Sequence, residues 1–551
     1  MKWLNEAART SLQRGYLLPN QSPEERILQM GERARNLLNM AGLGEKFYNY
    51  MSEGYYSLSS PIWSNFGLER GLPISCFGSY IADSTSSILE TAAEIGVMTK
   101  LGGGTSAYFG DIRPRGSTIS GHGIAEGSFS FLPIYQAITN TISQGGFRRG
   151  NAAMTIPIDH PDIEEWLNIQ TEGCPIQQLF YSVSVSDEWL KSMKAGDQEK
   201  RAIWAKVLQR RKETGIPYIF FHDNANKNKP DCYLNQEIKF SNLCAEIMLP
   251  ANEEESFVCC LSSMNLLKYP EWKDTDAVEV LTYFLNAVME EFIQKTTPQT
   301  KDDNSTQKEK HYLQRAHNFA KNHRAIGIGA LGWHSLLQSQ NIGFESFDAM
   351  LLNAEIFKTI KERSYAASED LGKRLGCVQG TNRRNTTLMS IAPTKSSSFI
   401  LGQVSPSIEP YKSNYFIKDL AKIKTTFKNP YLLQELKKRN MDTPEIWESI
   451  LLHKGSVQHL DLDEHTKAVF KTFEEINPMA ILQQAAQRQQ YIDQGQSLSL
   501  SLPVNIRTQE LNQIHLTAHE LGIKSLYYLW SSNAAQNFNR ENLLACKSCE
   551  A

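Results

Sequence analysis

The chain has 551 residues, with 57 Lys and Arg against 60 Asp and Glu, for a net charge of −3. That balance supplies no global field for nucleic acid or an anionic membrane. No apolar run reaches bilayer length, and the opening Met1-Lys2-Trp3-Leu4-Asn5-Glu6 lacks the basic and apolar regions of a signal peptide, so a soluble cytoplasmic protein is expected.

Residues 1–50 read as helical. Ser22-Pro23-Glu24-Glu25 is a capping-box start, with Ser22 as N-cap and Pro23 in the first turn. The helix it opens carries Ile27, Met30, Leu37, Leu38 and Met40 as an apolar stripe and is expected to stop near Gly42 and Gly44. From Ser59 to Ser84 the pattern predicts short strands with small hydroxyls at their ends, Ser59-Ser60-Pro61-Ile62-Trp63 and Pro73 to Ser84, followed by a helix over 85–99. Gly102-Gly103-Gly104 then marks a bend or close backbone approach, and with no Gly-Lys-Ser/Thr after it this is not a P-loop. Ser143-Gln144-Gly145-Gly146-Phe147-Arg148-Arg149-Gly150 combines glycine with guanidinium groups, as suits a phosphate-contacting loop or a solvated basic turn.

Between 155 and 240, strand-like pieces at 155–158 and 219–221 alternate with helical ones at 161–169, 187–194 and 200–213, the pattern of βα units around a parallel sheet. Residues 296–311 read as an exposed loop, and residues 324–333 as a glycine-laced strand or the start of a close-packed helix. Residues 387–392 form a buried strand running into Pro393-Thr394-Lys395-Ser396-Ser397-Ser398, where hydroxyl and backbone donors suit a phosphate. Residues 430–490 are helical and polar-rich. A helix over 506–521 then leads through Gly522 into a strand containing Tyr527-Tyr528, and the last residues read as a mobile tail.

The candidate chemistry centres on Ser241-Asn242-Leu243-Cys244-Ala245-Glu246. If the segment is extended, Asn242, Cys244 and Glu246 share one face, bringing together a sulfur, a carboxamide and a base. Alone, such a motif reads as a buried structural cysteine. The nine cysteines (Cys76, Cys174, Cys232, Cys244, Cys259, Cys260, Cys377, Cys546 and Cys549) are odd in number and scattered, unlike a secreted disulfide framework. In a reducing compartment thiols serve packing, metal binding or catalysis.

Taken in order, Ser75-Cys76, Ser143-Gln144-Gly145-Gly146, Asn242-x-Cys244-x-Glu246, Cys259, Pro393-Thr394-x-Ser396-Ser397, Ile408-Glu409-Pro410, Tyr527-Tyr528 and the terminal Cys546/Cys549 resemble the large catalytic subunit of class I ribonucleotide reductases. The resemblance implies a ten-stranded α/β barrel of two parallel five-stranded halves. It divides the chain into a helical N-terminal region (1–55), the barrel (56–530) and a flexible redox tail (531–551). It implies ribonucleoside-diphosphate reduction, with a thiyl radical on Cys244 removing the 3′-hydrogen, Glu246 accepting the 3′-OH proton and Asn242 holding sugar hydroxyls. Cys76 and Cys259 would supply two electrons and become a disulfide, leaving Cys260 to packing. Cys546 and Cys549 would re-reduce that disulfide and be renewed by thioredoxin or glutaredoxin.

The same resemblance makes Tyr527 and Tyr528 the relay for a radical from a dimetal-containing small subunit, with no cofactor bound by this chain. It places substrate diphosphate on Thr394, Lys395, Ser396 and Ser397, with Ser60 and Ser75 nearer the nucleoside. Lys395 departs from the acidic residue often found at its position. A (d)NTP effector would lie near Asp83 and Arg113 at the interface of a homodimer or larger oligomer, with Gln144 and Arg148 relaying its identity. The N-terminal ATP cone of many relatives is not expected, so neither is dATP inhibition through this chain's own N-terminus. Two other readings stay open: an adenosylcobalamin-dependent reductase, and an inactive nucleotide-binding paralogue.

Overall fold

The computed structural model describes residues 1–119, 121, 123–144, 148–297, 307–420 and 423–531. Three helices, Glu6–Gln13, Pro23–Leu38 and Leu43–Glu53, open the chain. The second starts as its sequence predicts: Ser22 accepts from the Glu25 amide, and the Glu25 carboxylate accepts from the Ser22 amide. It stops earlier than expected. Asn39 takes a left-handed conformation (φ 48°) and closes the helix, while Gly42 serves as N-cap of the next one. These two helices cross at Gly31 and Gly44, where a β-carbon on Gly31 would lie 2.8 Å from the Gly44 carbonyl oxygen.

The strands form a ring. In the first half, Cys76–Tyr80, Gly104–Tyr108, Ala152–Pro157, Phe180–Val185 and Tyr218–Phe221 lie side by side, each parallel to the next. Helices such as Thr85–Lys100, Leu132–Thr141 and Gln198–Thr214 make the crossovers. In the second half Phe257–Asn265 runs parallel to Ile326–Leu331. That strand bonds to residues 387–390, with Ile328 N to Leu388 O at 2.7 Å, and Ser497 N reaches Ile391 O at 2.8 Å. Tyr527 N bonds to Leu498 O at 2.9 Å, and Leu500–Ser501 runs parallel to Leu529–Trp530.

Two antiparallel seams close the ring: Cys76–Tyr80 pairs with Phe257–Asn265, and Tyr218–Phe221 pairs with Ser525–Leu526. Ten segments among the described residues thus make the expected barrel of two parallel five-stranded halves. Tyr56–Leu58 adds an antiparallel strand beside Phe257–Asn265.

Residues 60–65 correct the sequence reading. Ser60–Asn65 is a helix with Pro61 in its first turn, where a missing N–H costs nothing, and not a strand. Ile326–Leu331 takes the strand alternative and passes through Gly332 (φ 79°) into helix Trp333–Ser339. Of the expected 296–311 loop, residues 298–306 lie outside the described residues, and Gln307–Lys310 is helical. The polar-rich stretch after 430 is helical as expected, and Leu432, Leu436, Trp447, Ile450 and Val469 form a small core of their own there. No described helix is long and apolar enough to cross a membrane.

Candidate active site

Between the two halves, residues 239–250 form neither helix nor strand and are buried from Phe240 to Pro250. They lie inside the ring, touching strands of both halves. The segment is not extended, which corrects the period-2 argument. The Ala245 amide donates to Asn242 O (3.1 Å), and Ala245 itself is left-handed at φ 64°. A tight turn therefore presents Cys244, and the carboxamide and carboxylate are gathered by hydrogen bonds.

Asn242 Oδ1 accepts from the amides of Glu246 and Ile247, both at 3.0 Å, while its Nδ2 donates to Cys76 Sγ at 3.3 Å. Glu246 O receives Ser390 Oγ (2.9 Å) and the Gly495 amide (2.8 Å). Ser525 Oγ donates to Ala245 O at 2.6 Å. Ser497 Oγ sits 2.6 Å from Cys244 O and 3.1 Å from Glu246 Oε2, so its single proton serves one of them at a time.

Glu246 is fully buried, and its Oε1 has no hydrogen-bond partner. Burial pushes its carboxyl up to about 7, opposed by hydrogen bonds from Asn242, its own backbone and Ser497. A carboxyl that titrates near neutrality with one oxygen unsatisfied is suited to accept and return a proton.

Cys76 and Cys259 face each other across the first seam as direct register partners. In an antiparallel pair such residues point to the same side, so Cys260, next along the strand, points to the other. Burial raises both Cys259 and Cys260 as thiols, and a hydrogen bond from Gln494 Nε2 (3.4 Å) holds Cys259 back. Cys76 also donates to Ser75 Oγ at 3.6 Å. The second seam carries the aromatic pair: the rings of Tyr527 and Tyr528 are 4.3 Å apart and buried, with Tyr218 at 4.7 Å from Tyr527 and 5.2 Å from Tyr528. Buried Arg211 braces this backbone, donating to Tyr527 O (3.0 Å), His515 Nε2 (2.9 Å) and Pro217 O.

The family described as "Ribonucleotide reductase, barrel domain" matches residues 74–200, 198–383 and 378–529. The chain belongs to the ribonucleotide reductase family. Among solved structures it is similar to the Actinobacillus ureae class Id ribonucleotide reductase alpha subunit, 56% identical with a TM-score of 0.90 over 99% of each chain. It is also similar to the ribonucleoside-diphosphate reductase large subunits of Invertebrate iridescent virus 3 (32% identical, 89% of this chain and 88% of that protein) and Vaccinia virus strain Copenhagen (28% identical, 89% and 72%).

In this reductase-family barrel, the hydroxyl-rich stretch after residue 392 forms the short helix Lys395–Ile400. Thr394 Oγ1 is engaged at its start, accepting from the Ser407 amide (2.7 Å) and bonding Ser398 Oγ (3.0 Å). Ser397 Oγ lies 3.5 Å from Leu58 O, Ser396 neighbours it on the same helix, and Ser60 Oγ bonds Tyr16 Oη at 3.2 Å. Lys395 Nζ stands 4.8 Å over the ring of Trp530, which stacks on Tyr528 at 4.6 Å. Arg113 Nε donates to Asp83 Oδ2 (2.8 Å) in an exposed pair. Gln144 and Arg148 pair through their backbones, with residues 145–147 outside the described residues. Cys546 and Cys549 also lie outside them.

Sequence reasoning missed the residues that hold the cysteine loop: Ser390, Gln494, Ser497 and Ser525. A signal was present for one of them, since Ser497-Leu498-Ser499-Leu500-Ser501-Leu502 alternates strictly and puts its serines on one strand face. Ser390, Gln494 and Ser525 gave no such sign, because their partners lie far off in sequence.

Proposed function

We propose that this chain reduces ribonucleoside diphosphates to 2′-deoxyribonucleoside diphosphates, using a thiyl radical on Cys244. The observation that supports this best is the convergence inside one closed barrel of Cys244, the Cys76/Cys259 register pair, and a Glu246 oxygen left without a partner. In this reading the Cys244 sulfur removes the 3′-hydrogen. Glu246 accepts the 3′-OH proton through its open oxygen, and Asn242 turns its amide toward the sugar hydroxyls. Cys76 protonates the departing 2′-OH, which leaves as water. Cys76 and Cys259 together give up two electrons and two protons and become a disulfide, and the 3′-hydrogen returns from Cys244, restoring the thiyl radical.

Thr394, Lys395, Ser396 and Ser397 receive the diphosphate, with Ser60 and Ser75 on the nucleoside side. Tyr527 and Tyr528, in ring contact, pass the radical inward from a dimetal-containing small subunit. A (d)NTP effector sits by Asp83 and Arg113 in a homodimer or larger assembly, with Gln144 and Arg148 in the relay. Cys546 and Cys549, renewed by thioredoxin or glutaredoxin, reduce the disulfide between turnovers. The test is CDP reduction with and without the cognate small subunit. Activity is expected only with it, and is expected to vanish in Cys244→Ser and Tyr527→Phe. Turnover by Cys244→Ser, or activity with adenosylcobalamin alone, overturns the reading.

A further inference from the structure

Two carboxamides clamp the cysteine loop in the same way. Asn242 Oδ1 accepts the amides of Glu246 and Ile247, and Gln494 Oε1 accepts the next one, Met248, at 3.2 Å. Each then presents an N–H to one thiol of the seam: Asn242 to Cys76 (3.3 Å) and Gln494 to Cys259 (3.4 Å). Their surroundings differ. Cys76 retains 5% exposure and adjoins the loop face carrying Asn242 and Glu246, whereas Cys259 has none. Against Cys259 stand Gln494, whose two Nε2 protons are shared among Cys259 Sγ, Thr387 Oγ1 (3.0 Å) and Ile326 O (3.2 Å), and Gly327, where a β-carbon would lie 3.4 Å from the sulfur.

Thiol–disulfide exchange needs the attacking, central and leaving sulfurs nearly in line, and a leaving thiolate that its surroundings stabilise. A nucleophile approaching Cys259 meets Gln494 and the Gly327 backbone packed against its sulfur, whereas Cys76 is the more exposed of the two thiols and adjoins the face proposed to meet substrate.

We infer that Gln494 is a positioning residue that gives re-reduction a direction: an incoming dithiol attacks Cys76 Sγ, and Cys259 leaves as a thiolate held by the Gln494 N–H. This rests on the proposed redox role of Cys76 and Cys259. The attacking thiolate forms a mixed disulfide with Cys76 as the Cys76–Cys259 bond breaks and its electron pair passes to Cys259. The second thiol of the dithiol then displaces Cys76. The reductant closes to its own disulfide, and its two protons end on Cys76 and Cys259. The hydrogen bond acts on the charged form of Cys259, the same sense in which Gln494 opposes the effect of burial on that thiol.

The test uses the full-length protein oxidised by turnover with CDP and the small subunit in the absence of reductant. If wild-type protein gains no Cys76–Cys259 disulfide as dCDP forms, the underlying reading fails. If it does, brief exposure to the monothiol 2-mercaptoethanol followed by acid quench and peptide mapping should find the adduct on Cys76, and an adduct on Cys259 overturns the inference. Reduction of the disulfide by dithiothreitol should slow by about tenfold or more in Gln494→Glu, which keeps an acceptor for Met248 N–H but loses the N–H donor to sulfur. The deficit should narrow at lower pH, where the leaving sulfur gains a proton in either protein. A wild-type rate in Gln494→Glu, or a deficit that does not change with pH, contradicts a role in holding the thiolate.

Discussion

The proposed role of Glu246 comes with a stability cost. Its carboxyl titrates near 7 in the folded chain because burial penalises the anion, against an ordinary value of 4.5. In its proposed role as a base it must be ionised, so single-turnover dCDP formation should rise with pH through about 7 and then level off. Glu246→Gln should abolish that limb and slow the step by roughly 10²–10⁴-fold; a limb that persists in the variant assigns it to another group. The same shift fixes a stability trend. Between about 4.5 and 7 the native carboxyl keeps a proton that the unfolded chain has released, so stability falls as pH rises across that window and stays low above it. Glu246→Gln lacks this loss. At pH 8 it should be more stable than the parent by up to about 3 kcal/mol, with the difference shrinking toward pH 4. Urea unfolding at the two pH values checks this, and a variant less stable at pH 8 contradicts it.

The cysteine loop shows where sequence reading stops. Elements set by local chemistry were legible: the Ser22 capping box, the Thr85–Lys100 helix and the alternation of strands and helices through Phe221. Elements fixed by distant partners were not. The loop looks extended in sequence, yet Ser390, Gly495, Ser497 and Ser525 on the second half-barrel draw its carbonyls apart and force Ala245 left-handed. Ser60–Asn65 was misread for a related reason, since its hydroxyls and Trp63 suit a strand as well as a first helical turn. The residue types gathered at the candidate site stood out in the sequence because the proposed chemistry calls for them, while the clamp that aims them did not, because serine and glutamine are common everywhere. The turn makes its own prediction. A β-branched side chain at φ 64° is severely strained, so Ala245→Val should lose at least about 2 kcal/mol, whereas Ala245→Gly should match or exceed the parent in stability. Thermal unfolding of the two variants decides it. Equal tolerance of valine would mean the turn is not held left-handed.

At the scale of the molecule, the barrel is two parallel sheets that could not close on each other without two antiparallel seams, and the candidate catalytic groups sit at those seams. Asn242 reaches Cys76 at one, and Ala245 O receives Ser525 at the other, so the loop carrying Cys244 spans the ring between the thiol pair and the tyrosine pair. Oxidation should therefore act on the whole fold and not only on the site. A bond between Cys76 and Cys259 ties the first strand of one half to the first strand of the other, closing a loop of about 180 residues. The chain-entropy argument puts the resulting stabilisation at up to about 5 kcal/mol, less whatever strain the seam absorbs in bringing the sulfurs together. Protein oxidised by turnover should melt several degrees above the reduced form in calorimetry, and dithiothreitol should remove the difference. Cys259→Ser should show no redox-dependent shift, while Cys260→Ser, whose side chain faces away from Cys76, should keep it. A shift that survives Cys259→Ser but disappears in Cys260→Ser would move the redox pair one residue along the strand, and with it the side of the sheet on which the chemistry takes place.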